Sequence, residues 1–202
     1  SSKVLNGIST EATYSPPGSR CKIILGVKMS PLPFQNQDCD LTLAEGVEAY
    51  RGYLKFNDKK VLSDQEGFTT VLDHDATHVI FGVDTSFEEE IFLNYWVLFG
   101  CTYTWKELFA YSGREEVAEF TQDLIKEIGY LTTAKAQVRA MPNLFRILIR
   151  TRKMKRKWPF TFPKELLSNK VSELREEYGV SILTPEERDI KRIKWSGLIE
   201  GN

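Results

Sequence analysis

Histidine and cysteine are scarce in this sequence of 202 residues, which contains two histidines and three cysteines. The cysteines, Cys21, Cys39 and Cys101, are odd in number and widely spaced, and they form neither a CxxC pair nor a Cys/His zinc spacing. This pattern argues against a disulfide framework and favours a reduced compartment. The 27 basic and 28 acidic residues nearly cancel, so the net charge of −1 identifies no class of partner.

Long apolar runs are missing as well. The stretch from Ile91 to Phe99 is interrupted by Asn94 and is far shorter than the roughly 20 residues that cross a bilayer. The N-terminus has no basic region followed by an apolar one, so we expect no secretory signal. Strand patterns are few. The sequence therefore predicts a mainly α fold without a membrane-spanning helix.

The length of 202 residues predicts one domain, or one domain with helical extensions. Residues 1–40 contain several proline breakers, and we expect an irregular N-terminal segment there. Residues 41–180 have helical periodicity and are predicted to form the main helical domain. Residues 181–202 are predicted to be a C-terminal helical extension.

Apolar residues recur every three to four positions in two early segments, which predicts two amphipathic helices. The first stripe consists of Leu43, Val47, Tyr50 and Leu54. The second runs from Phe68 to Val83, with Gly82 as a helix stop, and Ser86 with Glu89 fits a capping box for a third helix over about 86–110. Further helices are predicted at about 113–140, from Pro142 onward, at 164–178 and at 185–195.

The two histidines, His74 and His78, are four residues apart, the spacing that puts two imidazoles on one helix face. Asp75 shares the same sector of the helix. A turn at Gly82 followed by an antiparallel helix would bring Glu90 back beside His78. The sequence therefore predicts a helix-turn-helix site for one divalent metal ion, held by His74, Asp75, His78 and Glu90.

Two imidazoles and two carboxylates suit zinc first, then iron or manganese, and they leave room for magnesium. Asp75 could instead orient one imidazole from outside the ligand set. The simplest alternative is that both histidines are polar residues satisfied within the fold. A metalloprotease needs Glu where this sequence has Asp75, and an HD-type phosphohydrolase needs further histidines that the sequence lacks.

The motif His74-Asp75-x-x-His78, followed by eleven residues and Glu90, resembles the HDxxHx₁₁E signature of the fourth Coq protein of ubiquinone biosynthesis. The likeness covers roughly residues 68–180. It includes Lys157-Trp158-Pro159-Phe160 and the segment from Val171 to Val180, which are similar to the closing segment of that family.

The resemblance implies a mainly helical protein that binds a metal ion, usually zinc, and a polyprenyl or other isoprenoid lipid. It implies a position peripheral to a membrane on its reduced side: the matrix face of the mitochondrial inner membrane in a eukaryote, the cytoplasm in a bacterium. It also implies contact with other quinone-biosynthesis proteins and a role in oxidative decarboxylation of a polyprenylated hydroxybenzoate ring. A homodimer is compatible with it. By the same resemblance, His74, Asp75, His78 and Glu90 are the ligands.

Residues 128–164 contain no acidic residue and ten Lys or Arg. Arg146, Arg150, Lys153 and Lys157 fall at helical spacing, with Ile147, Met154 and Trp158 beside them. A basic amphipathic helix that ends in Trp158 predicts contact with an anionic membrane surface. The alternative is a solvated basic face. We expect no nucleic-acid partner, because no recognised binding motif accompanies the charge.

The third helix is apolar nearly all round and begins near the metal motif. A lipid tail could lie along Phe92, Tyr95, Trp96 and Phe99, although ordinary core packing is the plainer interpretation of these residues. We therefore expect a metal-binding, lipid-handling protein of quinone biosynthesis. The alternative is a non-catalytic scaffold or isoprenoid-lipid carrier with a structural metal. The sequence identifies no catalytic residue and leaves open whether the protein is an enzyme.

Overall fold

The computed structural model describes residues 32–57, 59, 61, 70–104, 122 and 125–190. These residues form a mainly α fold, as the sequence predicts. The elements in chain order are a 3₁₀ turn (Pro33–Gln35), α1 (Leu43–Phe56), α2 (Thr70–Phe81), α3 (Phe87–Gly100), β1 (Cys101–Thr102), α4 (Tyr130–Lys153), β2 (Trp158–Pro159), a 3₁₀ helix (Lys164–Ser168), α5 (Val171–Tyr178) and α6 (Pro185–Arg188).

Helix α1 begins with a capping box in which the Thr42 hydroxyl accepts from the Glu45 N–H, while the Glu45 carboxylate accepts from the Thr42 N–H. Its predicted apolar stripe is confirmed, because all four of its members are buried. This stripe packs α1 against α2 and holds the metal motif in the interior.

Helices α2 and α3 form the predicted hairpin. Gly82 ends α2 with a φ of 67°, in the left-handed region that favours glycine. Ser86 is the N-cap of α3, but its side chain makes no capping bond, so the predicted Ser86–Glu89 box is wrong. Instead, Glu89 Oε2 accepts from the Asp84 N–H at 2.6 Å, and Asp84 Oδ1 accepts from the Ser86 N–H at 2.7 Å.

Helix α3 ends at Gly100 rather than near residue 110, which corrects its predicted length. The next two residues form β1, which pairs in parallel with β2 through Cys101 opposite Trp158 and Thr102 opposite Pro159. Because residues 101 and 102 make this long-range pairing, they cannot continue the helix. The predicted helical residues 105–110 lie outside the described part of the chain.

Helix α4 runs for 24 residues through Pro142, so the prediction of a new helix starting at that proline is wrong. Proline removes one i→i−4 hydrogen bond, here to Val138. Both residues are exposed, and water can serve the carbonyl group that loses its partner. Of the predicted helix over 113–140, residues 122, 125–128 and 130–140 are helical, and Gly129 with a φ of 80° precedes α4. Residues 113–121 and 123–124 lie outside the described part of the chain.

The predicted helix over 164–178 is divided in two. Residues 164–168 are 3₁₀ and α5 begins at Val171. Between them the chain pairs with the strand-like segment before α1: Leu43 N–H donates to Asn169, and Val171 N–H donates to Leu41. These tertiary hydrogen bonds override the helical preference of the local sequence.

The predicted helix over 185–195 is helical only from Pro185 to Arg188; residues 189–190 are not helical and 191–195 are outside the described residues. The chain between α5 and α6 packs on the common core, since Val180, Ile182 and Leu183 are buried. Within the described ranges, no helix is both long and apolar enough to cross a membrane.

Candidate metal centre

Helix α2 presents the two histidines on one face, one turn apart. The imidazole rings of His74 and His78 lie 4.8 Å apart in an edge-to-face arrangement. His78 is fully buried and stacks on Tyr50 of α1, with ring centroids 4.4 Å apart. His74 lies nearer the surface, with 18% of its side chain exposed.

Glu90 reaches the histidines from the first turn of α3, as the hairpin predicts. Its Oε1 lies 3.5 Å from His78 Nε2, and the side chain keeps 32% of its area exposed. One potential ligand atom from each of His74, His78 and Glu90 lies within 4.8 Å of the others. These three side chains could therefore hold a metal ion.

The hydrogen bonding of His78 defines which ring nitrogen is available. Its Nδ1 lies 3.3 Å from the Val83 carbonyl oxygen, which can only accept, so Nδ1 carries the proton. In the neutral ring, Nε2 then carries a lone pair and no proton. That atom is buried and has no hydrogen-bond partner among the described residues.

A lone pair that faces a carboxylate oxygen is electrostatically unfavourable unless a proton or a cation lies between them. This is the arrangement at His78 and Glu90. A carbonyl that fixes the tautomer through the remote nitrogen is also the usual outer contact of a metal-binding histidine. The residues therefore fit a divalent ion. If the histidines are merely satisfied polar groups, a proton on Glu90 has to serve His78 Nε2 instead.

Burial controls the protonation of both groups. It lowers the pKa of His78 well below its ordinary value, and the neighbouring His74 lowers it further. Burial raises the pKa of Glu90 to about 7, while His74 and Lys59 oppose that rise. The site thus provides a neutral imidazole without a proton to displace, and a carboxyl group that ionises near neutral pH.

Asp75, the fourth predicted ligand, lies beside this group rather than within it. Its Oδ2 accepts from Arg51 Nε at 2.6 Å, and its Oδ1 is 4.0 Å from His74 Nδ1. The geometry places Asp75 where it can influence the orientation of His74, which is the alternative that the sequence left open.

Arg175 anchors the end of α2 and was not identified from the sequence. The side chain is fully buried. Its guanidinium group donates to five backbone carbonyls, those of Phe34, Asn36, Gln37, Val79 and Ile80. Two of these follow His78 directly at the C-terminal end of α2, where carbonyl groups lack helical partners. Burial lowers the pKa of Arg175 to about 10.

A polar network also holds the start of α3. Gln35 Nε2 donates to Glu89 Oε2 at 3.3 Å, and Arg188 Nη1 lies 3.5 Å from Glu89 Oε1. Lys59 Nζ donates to the Thr85 carbonyl at 3.2 Å. These contacts tie the hairpin turn to three distant parts of the chain and so position Glu90.

The residues predicted to contact a lipid tail divide between the core and its edge. Phe92 and Trp96 are fully buried, and Trp96 stacks on Phe81 at 4.8 Å. Tyr95 is partly exposed and donates to Gln137 at 3.0 Å, while Phe99 is half-buried. A lipid tail along Phe92 and Trp96 would displace packed core side chains. These two residues therefore have the role of ordinary core packing.

A cavity of about 480 Å³ lies elsewhere, between α1, α2 and the 3₁₀ helix over 164–168. Its walls include Val47, Leu72 and Leu167, with Arg51 and Lys55 as cationic groups and Glu48 as an acidic one. Arg51 Nη2 has no hydrogen-bond partner in the described part of the chain. Arg51 connects this cavity to the metal centre, because it pairs with Asp75, which lies beside His74.

The predicted membrane surface needs correction. Trp158 is fully buried and contacts Tyr178 edge-on, so it cannot enter a membrane. The ammonium group of Lys157 donates to the backbone carbonyls of Phe99 and Thr151. Arg146 and Arg150 pair with Glu187 at 3.5 and 2.8 Å. Lys153 is the remaining cation of the predicted set. It is exposed and forms no ion pair with a described residue.

The fold and the site together define a mainly helical protein whose His74, His78 and Glu90 could hold a metal ion. No family model, no curated protein and no solved structure matches this chain.

Proposed function

We propose that this protein binds one divalent cation, zinc in the first place, through His74, His78 and Glu90. The observation that carries the proposal is the buried lone pair of His78 Nε2, 3.5 Å from the Glu90 carboxylate. A cation between them would turn an unfavourable contact into two favourable ones. Zinc fits imidazole and carboxylate ligands, and iron or manganese fits the same set.

The proposed role is in quinone biosynthesis, on a prenylated aromatic acid. Support comes from the HDxxHx₁₁E pattern together with the convergence of three of its four residues in space. Two imidazoles and one carboxylate leave coordination positions for other molecules, and a bound ion would supply Lewis acidity toward a carboxylate or phenolate oxygen. The partial exposure of His74 and Glu90 provides the access that such a molecule needs.

The protein's own residues would bind and orient the acid. His74, His78 and Glu90 would hold the ion, while Asp75 and Arg51 would support His74 from the side. Arg51 and Lys55 are the two cationic side chains at the wall of the neighbouring cavity. The apolar walls Val47 and Leu72 could accommodate the start of a prenyl chain.

The alternative is a non-catalytic scaffold or lipid carrier whose ion ties α2 to α3. The complete burial of His78 inside the hairpin favours it, because a structural ion is enclosed by protein. The two functions differ in what metal removal does. A structural ion stabilises the fold by most of its binding free energy, so its removal should lower the melting temperature strongly.

The test uses purified protein, stripped of metal and reloaded with zinc, iron(II) or manganese. In air-saturated buffer, where dissolved oxygen is the oxidant, we expect carbon dioxide release from a short-chain prenylated hydroxybenzoate only in a reloaded sample, and loss of that release in Glu90→Gln. Glu173→Gln is the matched control, since Glu173 is an exposed glutamate in the first turn of α5. Metal binding without release, combined with a large fall in melting temperature on stripping, would favour the scaffold.

A further inference from the structure

Helix α4 has two apolar faces that point in opposite directions. One face packs into the protein through residues that recur at three and four positions. These buried residues are Ala136, Ala140, Asn143, Ile147 and Thr151. A surface helix normally carries polar side chains on the other side.

The outward face of α4 is apolar instead. Its large side chains are 69% exposed at Leu131, 70% at Val138, 57% at Phe145 and 53% at Ile149. At about 100° per residue these four lie within roughly 40° of one another, opposite the middle of the buried face. They extend over about 27 Å of helix. An exposed apolar stripe of this size marks a contact surface rather than ordinary solvent-facing residues.

Positive charge lies beside this outward face. Lys135, Arg139 and Lys153 are exposed along one flank, Arg152 lies on the other, and none of the four forms an ion pair with a described residue. The sequence contains no acidic residue from 128 to 164. Glu187 does approach α4, but it pairs with Arg146 and Arg150.

We propose that the outward face of α4 binds an anionic lipid surface, with its apolar stripe in the headgroup–acyl boundary and its flanking cations on the headgroups. Charge complementarity favours this occupant, because a second copy of the same face would bring cations against cations. The surface differs from the one that the sequence predicts, since it excludes the buried Trp158. It goes beyond the proposed function, because it uses none of the metal-centre residues.

Co-sedimentation with vesicles tests the apolar stripe. We expect the full chain to bind vesicles of 70% phosphatidylcholine and 30% phosphatidylserine, and Phe145→Ser to weaken partitioning about tenfold. The matched control is Phe56→Ser, because Phe56 is also an exposed phenylalanine, 59% exposed on α1. Equal loss in both variants, or in neither, would overturn the proposal.

The charged flank is tested separately. Lys153→Glu should weaken binding at low salt, whereas Lys55→Glu on α1 should not. The loss in Lys153→Glu should shrink as salt is added. Equal binding to pure phosphatidylcholine would contradict the role of charge. If the lipid-free chain is a dimer that Phe145→Ser converts to a monomer, the face joins two copies and the proposal is wrong. Zinc content should be unchanged in Phe145→Ser, so this result is independent of the metal site.

Discussion

Replacing Arg175 by methionine should destabilise the protein and loosen the end of the metal-bearing helix. The buried guanidinium joins the 3₁₀ turn over 33–35 to the last turn of α2, and it comes from α5. Methionine keeps much of the apolar volume but provides no donor. The backbone carbonyls would then remain buried without their strongest partner.

The expected loss follows from the contacts. Three of the guanidinium bonds, to the carbonyls of Phe34, Val79 and Ile80, are fully buried at 2.6, 2.7 and 2.9 Å. The Val79 carbonyl would keep the Gly82 N–H at 3.3 Å, so the carbonyls of Phe34 and Ile80 are the two left orphaned, at about 1–3 kcal/mol each. Methionine also removes the cost of burying a charge, which offsets part of the loss. We therefore expect Arg175→Met to lower the free energy of unfolding by about 3 kcal/mol, a large share of the 5–15 kcal/mol typical of domains.

Urea unfolding of the metal-stripped protein measures this change, with tryptophan fluorescence as the signal. Arg175→Lys should recover only part of the loss, because one ammonium group cannot reach all the acceptors of a guanidinium. The control is Arg156→Met, since Arg156 pairs with Glu177 at an exposed position and should contribute no more than about 1 kcal/mol. If Arg175→Met and Arg156→Met unfold at the same urea concentration, the hydrogen bonds of Arg175 do not stabilise the fold as proposed.

Three further predictions concern the hairpin and its ion. Gly82→Ala should lower the free energy of unfolding by about 1–3 kcal/mol in a urea titration, because φ is 67° and the added Cβ would lie 2.8 Å from Ile182 Cδ1. The control is Gly129→Ala, which should cost less because φ is positive there but no described atom lies within 4 Å of the added Cβ. Asp75→Asn should weaken zinc binding about 10–100-fold in a chelator competition without abolishing it, whereas complete loss would make Asp75 a direct ligand. Because the carboxyl pKa of Glu90 is raised to about 7, protons compete with the ion in acid: affinity should fall about tenfold per pH unit below 7 and level off above it, and a profile flat down to pH 5 would contradict this.

The local parts of the fold could be predicted from the sequence. Apolar spacing identified α1 and α2, and Gly82 identified the turn, because each depends on a few consecutive residues. The convergence of His74, His78 and Glu90 follows from two helices joined by a short turn. Spacing on one helix and a known turn direction are enough to place these three together.

Features that depend on distant contacts could not be predicted. Helix α3 stops at Gly100 because the next residues pair with a strand more than fifty positions away. The cationic stretch suggested that Trp158 was exposed, but the strand pairing buries it. Arg175 lies in a charged, helical segment where nothing local distinguishes a buried arginine from an exposed one.

The side of α4 that faces outward was also not predicted. The sequence contains apolar residues around most of that helix, so periodicity alone does not determine which stripe enters the core. Asp75 is a similar case. Its position on the helix is correct for a ligand, but Arg51 lies close enough to bind its carboxylate instead.

The central claim is that His74, His78 and Glu90 hold one divalent ion, and calorimetric titration of zinc into the metal-stripped chain tests it most directly. We predict one zinc ion per chain for the wild type, the same for Glu173→Gln, and affinity at least about a thousandfold weaker for His78→Gln, which loses the buried ligand. Circular dichroism should confirm that His78→Gln keeps its helices. Undiminished stoichiometry and affinity in the folded His78→Gln variant would contradict the claim.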